Sequence, residues 1–528
     1  LSEALILKPK IETNPKLNFI ILNSAIRLSK WDLLSKFTDD KLNETLDLSY
    51  QKKFDISLGK LLLCLHTESD ILFEKQLEIS RECLLPVLKS NSSISYDQMI
   101  PILALYHLLD EIEEIHKIKS LPKSWNQWSS QASLSIDVIE QITSIRCALI
   151  DIYSKENKDL LISEQWLSLA KLARKSNYLF RAEMFCSRAM QFAKDTKAQK
   201  SNCLFELSKI LFSKPKNGLE ALSLLQIEGS KQKEGSTLHS KILYLRAKWM
   251  IDLNDSDSAE IIKLLNQVIK NGNEQNIILG KAYFALANIA DQRVISYIHY
   301  IEQIAADSSS VQIKYKTSST KFWNSSTLPD SVTEFFKSQI PLAIKNYIAT
   351  ISLIPRYSYE VIPRILELFF DIGHKFTEDS SFDHINKKQK ESVLSELKAS
   401  MKIEDINKVS STVWINSITQ LISRIEQPPQ LEGILYELLK ICCRDFAYQS
   451  LWHLMTLRQS EFSTRKESFK AFWNSLTETD PKFENELNTI YNDYYPITSE
   501  LIFLTKLQPP SSRSNLLDAS VACPKIES

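Results

Sequence analysis

Glu113 and His116 stand three residues apart, the spacing that sets a carboxylate and an imidazole on one helix face and, in di-iron bundles, offers both to a metal. Such a centre needs a second copy, and none of the other seven histidines (His66, His107, His239, His299, His374, His384 and His453) has glutamate three residues before it. The pair reads as a solvated helix face. Asp39 and Asp40 form an acidic pair of the kind that holds magnesium in all-α prenyl chemistry, but the third carboxylate is missing. Their plainer role is a helix start, with Thr38 or Asp39 accepting from the first turn. No H-E-x-x-H occurs, and Cys442-Cys443 on an apolar helix reads as buried rather than nucleophilic. The densest basic stretch, Asn386 to Lys390, is followed by Glu391 and Glu396 and reads as a solvated face. Trp166, Trp249, Trp414 and Trp452 fall on apolar stripes, as core anchors rather than platforms for bases. No residue is assigned a catalytic, cofactor-binding or metal-binding role.

Glycine usage supports that reading. Only 8 of 528 residues are glycine, and the shortest step between two of them, Gly229 to Gly235, is six. Glycine supplies positive φ and lets backbone approach a phosphate. A six-residue minimum excludes G-x-G-x-x-G, G-x-x-x-x-G-K-[ST] and G-x-S-x-G alike. The chain carries no nucleotide-binding signature of its own.

The elements that would position any site are helices. Nearly every stretch between Pro15 and Leu507 shows apolar residues at helical spacing, and almost none alternates as a half-buried strand does. Hydrophobic content of 44% and charged content of 24% are globular values. Lys+Arg and Asp+Glu both number 64, so the formal net charge is zero and nucleic acid or anionic lipid has no general attraction. The eight cysteines contain no C-x-x-C and read as reduced core thiols. There is no signal peptide at the start and no apolar run long enough to span a membrane. The chain opens on Leu1 and reads as an internal piece of a longer polypeptide.

Two neighbouring helices show the packing device. Near 162–176, Ile162, Trp166, Leu169, Ala170 and Ala173 form one stripe; near 179–193, Ala182, Cys186, Ala189 and Ala193 form another. Small facing residues let two helices pack closely as an antiparallel hairpin. First helices recur near Ser163, Gln199, Leu238 and Asn276, at steps of 36, 39 and 38 residues. That exceeds the tetratricopeptide step and approaches the HEAT range. The expected fold is all-α, a TPR/HEAT-like helical-hairpin solenoid, with TPR-like repeats over 1–325, longer HEAT-like helices over 326–507 and a tail at 508–528. A soft boundary is expected near 310–330. The later helices are expected at about 331–353, 357–376, 384–400, 411–425, 431–443, 445–458, 464–477 and 482–506.

Several segments carry a family resemblance. Trp166 to Ser176 resembles the helical pair at the heart of the FAT region of phosphatidylinositol-3-kinase-related protein kinases. Ala25 to Leu34, then Leu58 to Leu63, resemble the opening of that region in the ATR-type checkpoint kinases. Ala343 to Tyr347, Tyr359 to Leu368 and Phe370 to Gly373 are similar to a stretch peculiar to that subfamily, and Trp414 to Ile425 resembles the helix that follows it. The order holds over roughly residues 20–507; from Pro509 onward the pattern is lost.

The resemblance implies a non-catalytic FAT scaffold of a nuclear serine/threonine kinase that answers DNA damage and replication stress. It implies support of a C-terminal kinase domain in the same polypeptide, homodimer contacts and regulatory protein subunits, with no direct nucleic acid or membrane partner. ATP and Mg are implied for the kinase domain and no cofactor for this chain, which contains neither D-R-H-x-x-N nor D-F-G. The alternative is a free-standing TPR-like protein-interaction adaptor.

Overall fold

The structure, a computed structural model, describes residues 15–38, 50–91, 96–122, 135–154, 156–193, 196–253, 258–272, 277–307, 332–378, 387–458, 460, 462–477 and 481–506. The Asp39–Asn43 motif, Asn386, Cys523, the expected boundary at 310–330 and the expected tail lie outside those residues. Among the described residues every regular element is helical. The fold is the all-α helical-hairpin solenoid that the periodicity predicts. The helices gather into two compact units, Leu1–Gln232 and Lys233–Ser528.

The first unit opens with α1 (Pro15–Arg27) and the short α2 (Trp31–Phe37). Then α3 (Tyr50–His66) pairs with α4 (Asp70–Asn91), which leads to α5 (Tyr96–Ile118) and α6 (Ile136–Tyr153). The hairpin of α7 (Lys158–Lys175) and α8 (Leu179–Phe192) is followed by that of α9 (Lys197–Ser213) and α10 (Gly218–Lys231). The two stripes read from the sequence meet as expected: Trp166, Ala170 and Ala173 on α7, and Ala182, Cys186 and Ala189 on α8, are all buried. Trp166 lies 5.8 Å from Phe185, ring to ring. Side chains this small let the helix axes approach and bury the remaining apolar surface.

The second unit begins with α11 (Thr237–Leu253) and α12 (Ser258–Asn271), then the long α13 (Ile277–Asp307) against α14 (Val332–Leu353). Next, α15 (Ser358–Leu366) runs through a π-turn at Glu367–Asp371 into α16 (Ile372–Glu378). After α17 (Lys387–Ser400) and the single turn α18 (Ile403–Ile406) come α19 (Ser411–Ile415) and α20 (Ile418–Ser423). The unit closes with α21 (Pro429–Asp445), α22 (Ala447–Arg458), α23 (Ser463–Thr477) and α24 (Pro481–Lys506).

Some expectations need correction. The helix expected over 411–425 is two short ones, broken at Asn416 and Ser417, where Ser417 N–H turns back to the Trp414 carbonyl at 3.0 Å. Asn and Ser compete for backbone hydrogen bonds and favour such turns. Trp452 is not a core anchor but 39% exposed. On α22 the inward stripe is Leu451, Leu454 and Met455, and Trp452 sits beside it, edge-on to Tyr494 at 5.4 Å. The repeat is also more regular than the apolar spacing suggests: α7, α9, α11 and α13 begin at Lys158, Lys197, Thr237 and Ile277, at steps of 39, 40 and 40 residues.

The scarcity of glycine leaves a mark on the turns. Ser29, Glu68, Lys119, Asn157, Asn177 and Lys216 all adopt positive φ, between 50° and 74°, whereas Gly235 is the one glycine described as doing so. After α3, α7 and α1 the bonding pattern is that of a Schellman closure; Tyr178 N–H, for example, donates to the Ala173 carbonyl at 2.9 Å. Tertiary packing of the hairpins outweighs the roughly 1–2 kcal/mol that a left-handed residue with a side chain costs.

Candidate functional site

An extensively bonded polar centre of the second unit is built by α13, α14 and α15. Ala287, Ala290 and Val294 on α13 and Ala343 and Ile344 on α14 are buried together, which brings the two helices close enough for longer side chains to bond across them. Tyr347, 1% exposed, directs its hydroxyl to Asn288 Oδ1 at 2.7 Å and Asp291 Oδ2 at 2.9 Å. From α15, Arg364 donates Nε to Asp291 Oδ2 at 3.0 Å and Nη2 to Asp291 Oδ1 at 2.6 Å, and its other nitrogen pairs with Glu367. Both oxygens of the Asp291 carboxylate are thereby engaged. A buried charge is tolerated only when it is paired and bonded in this way.

A cavity of about 590 Å³ adjoins this centre. Tyr244 from α11, Phe284 from α13 and Tyr357 supply aromatic walls, with Phe284 stacked on Tyr357 at 4.8 Å, and Lys248 and Glu360 add charge. Burial pushes the Tyr244 hydroxyl up to about 12. Tyr347 is driven above the ordinary phenol range by burial and then by the Asp291 charge. Neither hydroxyl ionises near neutral pH, and the Asp291 carboxylate is locked to a guanidinium. The arrangement can fix three helices and receive an apolar group.

Glu113 and His116 do share a face of α5, but that face is not simply solvated: the His116 side chain is 13% exposed and stacks on Phe73 at 3.9 Å. Its Nε2 lies 3.2 Å from Asp70 Oδ1, while Glu113 accepts from Arg81 at 2.6 Å and Lys117 at 2.5 Å. The helix turns the pair onto α4, where aromatic and cationic partners await it. Burial, the largest effect, holds the imidazole below its ordinary value. Among the described residues no group of His, Cys, Asp and Glu is arranged to hold a metal ion. Cys442 and Cys443 are fully buried, and burial pushes the Cys442 thiol up to about 12. Lys387 and Lys388 are exposed, as the basic-stretch reading requires.

Sequence reasoning missed the Asp291 centre because its members lie on three helices and none is unusual locally. A signal existed nonetheless. Tyr347 and Arg364 fall inside resemblance-bearing segments, and so do Asp371 and Arg424, which form a second forked pair, Nε to Oδ1 at 3.0 Å and Nη2 to Oδ2 at 2.8 Å. The first two segments meet as well: a Cβ on Gly59 would stand 3.1 Å from Thr38 Cγ2 and 3.3 Å from Leu34 Cδ1.

Comparison with known proteins covers the segments that lie before residue 368. The FAT domain family matches residues 18–367. The chain is similar to "Serine/threonine-protein kinase ATR" of Oryza sativa subsp. indica and to the protein of the same name of Oryza sativa subsp. japonica. Each is 20% identical over 502 residues, covering 85% of this chain and 18% of the rice protein. The chain thus spans less than a fifth of the length of those curated relatives.

Proposed function

Because the chain belongs to the FAT domain family, we propose that it is the non-catalytic helical scaffold of an ATR-type serine/threonine kinase, holding a kinase domain of the same polypeptide in working geometry. The observation that carries this reading is the coincidence of the family match with the two forked ion pairs, Arg364 with Asp291 and Arg424 with Asp371. Each locks helices distant in sequence, the requirement for a body that transmits rather than absorbs displacement. Arg364 lies within the matched residues, and Arg424 lies beyond them in a segment of the same resemblance.

In this reading ATP and Mg belong to the kinase domain, and the cell compartment is the nucleus, where the parent enzyme answers DNA damage and stalled replication. Exposed Ile71 and Phe180 in the first unit supply apolar surface for a second protomer or a regulatory subunit.

The test is made on the polypeptide as the cell produces it. Immunoprecipitated through this chain, it is expected to transfer label from radioactive ATP to a serine or threonine peptide, and the chain alone is expected to transfer none. Substitution of Arg364 by alanine should lower that activity while leaving the KM for ATP unchanged. A polypeptide without kinase activity would overturn the proposal in favour of a free-standing adaptor.

A further inference from the structure

The formal charge of the chain is balanced, and most described arginines of both units stand against a carboxylate: Arg27, Arg81, Arg146, Arg174, Arg246 and Arg424 are examples. One cavity breaks the pattern. Between α22, α23 and α24 lies a space of about 430 Å³ lined by Arg458, Lys466 and Lys470, and no carboxylate lines it among the described residues. None of the three cations forms an ion pair with a described residue. Lys466 and Lys470 are one helical turn apart on α23 and so face the same way.

The rest of the lining is suited to an oxyanion on an organic group. Asn474, Asn488 and Asn492 add amide groups, and Trp473 and Tyr491 add aromatic surface 5.1 Å apart. The Arg458 guanidinium lies over the rings of Tyr491 and Tyr495, at 4.4 Å and 4.8 Å. Stacking of this kind holds the planar group in place and leaves its N–H edges to bind, in the fork geometry that matches phosphate. Tyr491 is 8% exposed, and its buried hydroxyl has no hydrogen-bond partner.

We propose that this cavity binds a phosphate monoester carried on a serine or threonine of another protein segment. The charge complementarity sets the phosphate; the surroundings set the protein. Tyr495, one turn from Tyr491, is 41% exposed, and Phe462, one turn from Lys466, is 66% exposed. Two exposed aromatics beside a cationic cavity suit the apolar residues that flank a phosphorylated side chain and give a free polyphosphate nothing to hold. The site is separate from the Asp291 centre and does not depend on the attachment of a kinase.

The full chain is titrated, by fluorescence anisotropy, with a labelled peptide carrying one phosphoserine between two phenylalanines. The unphosphorylated peptide and inorganic tripolyphosphate serve as the other arms. The phosphopeptide is expected to bind at least about tenfold more tightly than its unphosphorylated form, with affinity falling as salt rises. Arg458→Ala and Lys470→Glu should each weaken it about tenfold, and Lys387→Glu not at all. Lys466→Glu provides a second charge reversal at an exposed position, with thermal melting of each variant as the folding control. Equal binding of the two peptides, binding of tripolyphosphate alone, or unchanged affinity in folded Lys466→Glu and Lys470→Glu would each overturn the proposal.

Discussion

Arg364 and Asp291 are 73 positions apart in sequence and joined by two near-parallel hydrogen bonds, Nε to Oδ2 at 3.0 Å and Nη2 to Oδ1 at 2.6 Å. The Asp291 side chain is 4% exposed and the Arg364 side chain 27%. An uneven pair like this is more costly to break from one side than from both, because the aspartate cannot be rehydrated where it stands.

Arg364→Met is therefore expected to destabilise the chain by about 3 kcal/mol, and the double variant Arg364→Met with Asp291→Leu by clearly less than the sum of Arg364→Met and Asp291→Leu made singly. Equilibrium denaturation in urea measures all three. Additive effects would show that the pair contributes nothing as a pair.

Two helical glycines should respond in opposite senses to alanine. A Cβ on Gly280 would lie 2.7 Å from both Cγ1 and Cδ1 of Ile354, a side chain stiffened by its β-branch, and overpacking of this kind costs about 1–3 kcal/mol. Gly433 is exposed on α21, and a methyl group placed on its Cα would meet no atom within 4 Å. Gly433→Ala should therefore stabilise by up to about 1 kcal/mol. Melting temperatures of the two variants should move apart.

Glu68 closes α3 at φ 55° and is exposed. Glu68→Gly removes the left-handed strain at a position whose side chain packs on little, and a gain of about 0.5–1 kcal/mol is expected. A loss would mean that the added freedom of the unfolded chain outweighs the relief of strain.

Burial pushes the thiols of Cys147, Cys186 and Cys442 up to about 12 from an ordinary value of 9.0. In that window the folded state holds protons that the unfolded state has released. Stability is thus intact below pH 9 and falls as pH rises from 9 toward 12. Iodoacetamide at pH 8, followed by peptide mass mapping, should leave these three cysteines unmodified until guanidinium is added. Half-buried Cys64 and Cys83 should react ahead of them.

Burial of one stripe per helix is written into local spacing, and for that reason α7, α8 and most of the later helices match their expected limits within a few residues. Trp166 and Cys186 face inward because a period of 3.6 leaves them no other face. Trp452 escapes this logic, because its cover depends on whether a neighbouring helix arrives, which a single helix does not encode; the break at Asn416 has a local cause in the Asn-Ser turn, which the apolar spacing alone does not reveal.

The amino-acid order alone was enough for the helices, their pairing into hairpins and the absence of glycine-built phosphate loops, since all three are properties of residues close in sequence. The family likeness was legible too, in segments whose residues turn out to bond or pack with one another. Only folding decided that Arg364 would meet Asp291, that Arg424 would meet Asp371, and that Arg458, Lys466 and Lys470 would converge on a cavity lined by no carboxylate among the described residues. A charge selects its partner through a Coulomb field acting over a few ångströms in space, so pairing across 73 residues follows from how the helices pack and not from their order.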